Sequence, residues 1–259
     1  MHRILDAGAM IAALALVSAQ RPTRSQPRGT GPHPGWLTYE SPHFTFYYAA
    51  DSKVLAKPGA IQAYAEKRER ARANICKYLG IGHTKKIKFF AYDNNEIAKR
   101  IIGRTLGFAE PAIGVIHSRV NQTPGHEITH ILSRSINGKG PPNRLLDEGL
   151  AVFLNQTGGD RSAGARALLG KGNLPTVGDM LRELPDRWYG PAGAFVGYLC
   201  EQHGVGKFKQ LWGAPKDSFA VSFQRIYGKS IAEMDKEWRD YLRNYVGQPR
   251  RTVAPIQQK

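Results

Sequence analysis

His126-Glu127-Ile128-Thr129-His130, followed downstream by Asp147-Glu148-Gly149-Leu150-Ala151, decides how the chain is read. Residues four apart on a helix share a face, so a helix through 126–130 brings the imidazoles of His126 and His130 to one point. Neutral imidazole suits Zn²⁺, and a zinc centre that does chemistry commonly has three protein ligands and one open position. Glu148 is the best candidate for the third ligand. Glu127, one step along the helix, then stands beside the open position as a general base. The set predicts a zinc hydrolase with about one Zn²⁺ per chain, and a peptide bond is the leading substrate.

The flanking sequence supports the geometry. Thr123-Pro124-Gly125 supplies a turn before His126, and Ile128, Ile131 and Leu132 give the helix an apolar side. Gly138, Gly140, Pro141 and Pro142 mark a loop, and Leu145 to Leu154 reads as a second amphipathic helix carrying Glu148. Two helices joined by a short loop form an αα-hairpin, which returns the third ligand to the first two.

Through these residues the chain resembles the gluzincin metallopeptidases, in particular the small peptidase MA-like domains and, more distantly, aminopeptidase N. The resemblance runs over roughly residues 40–245. It takes in HFTFYY at 43–48, KIKFFAYDN at 86–94, GFAEPAIGVIH at 107–117, HEITH, LLDEGLAVF, YGPAGAFVGYL at 189–199 and IYGKSIAEMDKEWRDYL at 226–242. It implies a zincin-like fold with His126, His130 and Glu148 as ligands and Glu127 as catalytic base. It also implies Tyr189 as partner of the oxyanion, with Tyr198 the competing candidate. The cleft is expected between the sheet edge and the helical part, with Ile113 to His117 as the edge that pairs with an extended peptide. The chain departs from the family in places. Seventeen residues separate His130 from Glu148, one fewer than in the aminopeptidases, and Arg144-Leu145 stand where a tryptophan is often found. No Gly-x-Met-Glu-Asn precedes the motif, which favours an endopeptidase over an aminopeptidase. Asp147 is either an orienting partner for a motif histidine or a surface carboxylate. His117 and His203 are left outside the metal set.

Composition bounds the remainder. The 259 residues suit one domain, here 37–246. Met1 to Ala19 reads as a signal peptide, with an apolar run from Ala7 to Val17 and Val17-Ser18-Ala19 before Gln20, so export to the periplasm or medium is expected. Residues 20–36 read as a Pro/Arg-rich disordered linker and 247–259 as a flexible tail. No stretch of the mature chain reaches transmembrane length. The net charge of +16 favours contact with polyanions or an envelope surface. The basic residues are scattered and carry no nucleic-acid motif, so a solvated basic surface is expected and no specific nucleic acid. Cys76 and Cys200 could be one disulfide or two buried thiols.

The order of elements completes the reading. Strands are expected at 43–48, near 87–91 and at 113–117, with helices at 60–79 and 95–102 between them. After the motif hairpin come helices near 161–170, 177–183, 191–203, 205–212, 218–227 and 231–245, the last opened by a Ser230/Glu233 capping box. A small N-terminal mixed sheet with an active-site helix, then a mostly helical C-terminal part, is an α+β arrangement. From another functional class, a catalytically weak envelope scaffold that keeps a zinc-peptidase shell would share this sequence pattern. An intact Glu127 speaks against it, because a site kept for structure alone needs no base.

Overall fold

The computed structural model describes residues 33–103, 107–155, 157 and 159–247. The expected signal peptide, most of the linker and most of the tail lie outside these residues. The chain is α+β, a five-stranded N-terminal sheet followed by helices. In the sheet, β1 (Trp36–Glu40), β2 (Phe44–Ala49), β3 (Ile87–Tyr92), β4 (Phe108–Glu110) and β5 (Val115–Arg119) lie in the order β1-β2-β3-β5-β4. The pairs β2–β3 and β3–β5 are parallel, and β1 and β4 are antiparallel additions at the two edges. Strand β1 begins at Trp36, inside the stretch read as linker. His33 stacks edge-on to that indole at 4.9 Å, so the fold takes in the last linker residues.

Both faces of the sheet are covered. On one face Phe44, Phe46, Phe89 and Ile116 meet Ile61, Tyr64 and Ile75 of helix α1 (Ala60–Leu79), together with Ile128 and Ile131. On the other, Tyr47, Phe90, Tyr92 and Val115 pack with Ala98 and Ile102 of the short helix α2 (Asn95–Ile102). Strand β2 is therefore not the half-buried strand its alternation suggests: Tyr47 is buried as well, under a second layer. Helix α1 stops at Gly80, whose φ of 57° lets its backbone N–H reach the carbonyls of Cys76 and Lys77. Arg68 on α1 corrects the expectation of a solvated basic face there. It is buried, its guanidinium lying over the rings of Tyr64 and Phe89.

The third strand is also shifted. Strand β5 starts at Val115, and Ile113 is half exposed in the turn before it, where Gly114 has a φ of 68°. It lies between β3 and β4, so it is an internal strand and not the substrate edge expected of residues 113–117. That edge belongs to β4.

The motif hairpin follows as α3 (His126–Ser133), a 3₁₀ turn at Arg134–Ile136, and α4 (Arg144–Phe153). Asn143 caps α4 by accepting from the Leu146 backbone N–H at 3.0 Å. The helices α5 (Arg161–Gly170), α6 (Val177–Arg182), α7 (Tyr189–Gln202), α8 (Val205–Trp212), α9 (Phe219–Tyr227) and α10 (Ile231–Arg243) complete the chain. Helix α10 opens with the expected capping box, and its Met234, Trp238 and Leu242 are buried. The partner of α4 is α7, and glycine sets their approach. A Cβ on Gly149 would lie 2.6 Å from Val196 Cγ2 and 2.8 Å from the Ala192 carbonyl oxygen, and one on Gly193 2.5 Å from Val152. The backbone of α7 thus forms the wall behind Glu148. Cys76 and Cys200 are free thiols, the latter buried in α7. No helix among the described residues is long and apolar enough to cross a membrane.

Candidate metal centre

Helix α3 presents His126 and His130 one turn apart, and α4 returns antiparallel to them with Glu148. The start of α3 is tied to the end of α4 by the Gly125 backbone N–H, which donates to the Asn155 carbonyl at 3.2 Å. His126 Nε2 lies 3.5 Å from Glu148 Oε2, and His130 Nε2 lies 3.7 Å from the same oxygen. One donor atom from each of the three residues falls within 4.8 Å of the others. Tetrahedral ligands about 2.0–2.1 Å from a zinc ion are about 3.3 Å apart, so the two histidine–glutamate separations already lie within a few tenths of an ångström of that spacing. The residues fit the metal that the motif implies.

Tautomer and field agree with this. His130 donates through Nδ1 to Asp147 Oδ1 at 2.9 Å, which in the neutral ring leaves the Nε2 lone pair facing Glu148. Of the two roles open to Asp147, the structure shows the orienting one. Burial would lower the His130 pKa. The hydrogen bond and charge of Asp147, with Glu127 and Glu148 close by, outweigh it and push the pKa up to about 9. Three carboxylates, Glu127, Asp147 and Glu148, around these imidazoles make a field that favours a cation. Burial would raise Glu148, but His126 foremost, with His130, holds it below the usual carboxylate range.

Glu127 is 7% exposed, and burial pushes its pKa up despite the two histidines. Tyr189, the first residue of α7, borders the same centre. Its hydroxyl accepts from Arg144 Nη2 at 2.6 Å, and burial followed by the Glu148 charge pushes its pKa up to about 12, so it remains a phenol. Tyr198 is elsewhere: it is buried and donates to Glu237 Oε1 at 2.7 Å. His117 is 1% exposed, hydrogen-bonded to Tyr92 at 2.7 Å and stacked on Phe90 and Phe108. His203 sits 3.1 Å from Glu237. Neither histidine belongs to the centre.

All of the expected site residues, His126, Glu127, His130, Glu148 and Tyr189, line one cleft of about 990 Å³. Its remaining wall is β4 with Phe108 and Ala109, the end of β5 with Arg119, and Lys99 of α2. Arg144 is a neighbour whose place the sequence held only as a departure from the family. It stands one turn before Glu148, with its guanidinium 3.9 Å from Glu148 Oε1 and 3.7 Å from Asp186 Oδ1. An arginine four residues ahead of a ligand carboxylate was the available signal.

No protein-family model matches the chain, and no curated protein matches it. Among solved structures it is similar to a two-domain M1 zinc metallopeptidase with L-arginine bound, at 14% identity and a TM-score of 0.46, over 80% of this chain and 49% of that one. It is also similar to an M1 zinc metallopeptidase from Deinococcus radiodurans, at 14% identity and a TM-score of 0.47, over 80% of this chain and 50% of that one. The chain spans about half the length of the solved structures it matches.

Proposed function

We propose that the chain is an exported zinc-dependent peptidase, cutting within peptides, with His126, His130 and Glu148 as metal ligands, Glu127 as general base and Tyr189 as oxyanion donor. The observation that carries this is the convergence of three donor atoms within 4.8 Å beside a buried, otherwise unused carboxylate. When bound, Zn²⁺ supplies a Lewis acid and brings the pKa of water towards about 7. Glu127 takes the proton of the attacking water and returns it to the leaving amine, and the burial that raises its pKa makes it a stronger base for the first transfer. Arg144 donates to the Tyr189 hydroxyl, which in turn hydrogen-bonds Glu148, so the phenol proton turns from that carboxylate to meet negative charge developing on the carbonyl oxygen. An extended substrate can pair with β4, the strand at the end of the sheet order, whose Phe108 and Ala109 line the cleft. Internal cleavage is supported by the open cleft and by the missing Gly-x-Met-Glu-Asn sequence.

The test uses metal analysis and a peptide library. Purified wild type should carry about one zinc and cut library peptides. Glu127→Gln should keep the zinc and lose at least about 10²–10⁴-fold in rate. Equal activity in the two would remove the mechanism. A zinc-loaded wild type that binds library peptides and cuts none would instead favour the scaffold.

A further inference from the structure

The two walls of the cleft differ in how their charges are matched. At the metal centre, Glu127, Asp147 and Glu148 face His126 and His130, and Arg144 is engaged by Tyr189, Glu148 and Asp186. At the opposite wall stand Arg119, at the end of β5, and Lys99 of α2. Neither side chain has an ion pair or hydrogen bond among the described residues, and the Nε of Arg119 is buried with no hydrogen-bond partner. The strand places them together. Val115, His117 and Arg119 alternate onto one face of β5. Val115 packs there with Ala98 and Ile102, so Arg119 lies on the side that α2 covers. Glu110 is the acidic residue of β4, but it pairs with Val115. Its carboxylate leans two residues along, to 3.9 Å from His117 Nε2, and makes no ion pair with Arg119.

Arg119 is also held. Its backbone N–H donates to Gln122 Oε1 at 2.9 Å, and the Gln122 N–H donates back to its carbonyl at 3.0 Å. Gly107 makes room for that Gln122 side chain, since a Cβ there would lie 2.1 Å from Gln122 Oε1. A fixed backbone carrying an unengaged guanidinium at the wall of a cleft is a preorganised anion site, and the planar fork matches a carboxylate.

Resting on the peptidase reading, we propose that Arg119, seconded by Lys99, forms a subsite for a substrate carboxylate. The preferred substrates then carry an acidic side chain or a free C-terminus a few residues from the scissile bond. The overall charge of +16 draws such peptides from a distance, and Arg119 selects among them on contact.

The test is a peptide series of one neutral core in which a single Glu, or Gln as control, is scanned across the positions flanking the scissile bond. Each peptide is made with a free and with an amidated C-terminus. Cleavage is measured with wild type, Arg119→Gln, Arg119→Lys and Lys99→Gln, and equilibrium binding with the same substitutions on a Glu127→Gln background. Wild type should favour the carboxylate-bearing member by about 10–100-fold in kcat/KM, the range of a hydrogen bond to a charged group. The ratio should fall towards one in Arg119→Gln, fall less in Lys99→Gln, and recover in part in Arg119→Lys. Sensitivity to the Glu position identifies a side-chain carboxylate, and sensitivity to amidation identifies the terminus. Peptides cut without regard to either overturn the subsite and leave the peptidase reading standing. Peptides bound with carboxylate preference but never cut do the reverse. Peptides neither bound nor cut overturn both.

Discussion

Helix α7 carries a polar cluster near each end, and the two are built from almost the same parts. Near its start, Tyr189 meets Arg144 and Glu148, and Glu148 meets His126 and His130. Farther along, Tyr198 meets Glu237, Lys229 and His203. Composition does not separate them, but geometry does. Around Glu237 two groups donate, the Tyr198 hydroxyl at 2.7 Å and the Lys229 ammonium, and His203 stands 3.1 Å away. The carboxylate is finished. Around Glu148 two ring nitrogens stand at 3.5 and 3.7 Å from one oxygen, too far for a good hydrogen bond and close to the separation of two ligands on one ion. What marks the metal centre is thus the convergence of two imidazoles on one carboxylate oxygen, and not the mere company of a glutamate and a histidine.

The largest contrast should be in metal content. Glu148→Ala should lose its zinc, because two imidazoles alone bind weakly. Glu237→Ala should keep about one equivalent at some cost in stability. Elemental analysis after gel filtration decides it, and a full zinc complement in Glu148→Ala would remove Glu148 from the ligand set. The two tyrosines should part next. Tyr189→Phe should lower kcat by about 10–10³-fold with a near-constant KM, the pattern of a contact made mainly in the transition state. An unchanged kcat would show that the hydroxyl beside Arg144 only packs.

Much of this could be read from the chain before its structure. Ile61, Tyr64, Ala71 and Ile75 mark the inner side of α1, and Gly80 ends it where expected. His126, Glu127, His130 and Glu148 follow from helical spacing and one loop. What escaped was set by neighbours distant in sequence. Strand β4 is three residues long with none fully buried, too short for alternation to show, so the sequence pattern places the sheet edge one strand too far in. Trp36 was hidden in a proline-rich run, although its ring packs 5.2 Å from that of Tyr92. Arg68 sits among lysines and arginines that do face water, and only its tertiary neighbours bury it. Tyr189 and Tyr198 could have been separated in part. Nine residues are about two and a half helical turns, so the two side chains leave α7 on opposite sides and cannot share a site.

A smaller effect should come from the seam between α4 and α7. Gly149→Ala puts a methyl 2.6 Å from Val196 Cγ2 and 2.8 Å from a backbone oxygen, and the oxygen moves only with its helix. The expected cost is about 1–3 kcal/mol, with faster loss of zinc to a chelator because Glu148 moves with the backbone. Gly164, inside α5, has open space where its Cβ would be, so Gly164→Ala should be neutral or stabilising by up to about 1 kcal/mol. If both substitutions behaved alike, the seam would not be what positions the carboxylate.

The smallest effect belongs to Tyr198→Phe, the counterpart at the finished cluster. Its kcat should stay within about twofold of wild type, since the hydroxyl it loses faces Glu237 and not the cleft. Removing one hydrogen bond to a partly exposed carboxylate should cost about 1 kcal/mol, or about 2–4 °C in Tm for a chain of this size. The loss should depend on pH in a stated direction. Lys229 foremost, and Tyr198 after it, hold the Glu237 pKa below its ordinary value against the opposing effect of burial. A carboxylate depressed in the folded state contributes stability that is complete above its unfolded pKa of about 4.3 and fades as pH falls through the folded value. The Tm difference between wild type and Tyr198→Phe should therefore be constant from neutral pH down to about 5 and shrink below it. A difference that stayed level into acid would mean that Tyr198 stabilises through its ring, stacked 5.0 Å from that of Tyr241, and that its bond to Glu237 adds nothing.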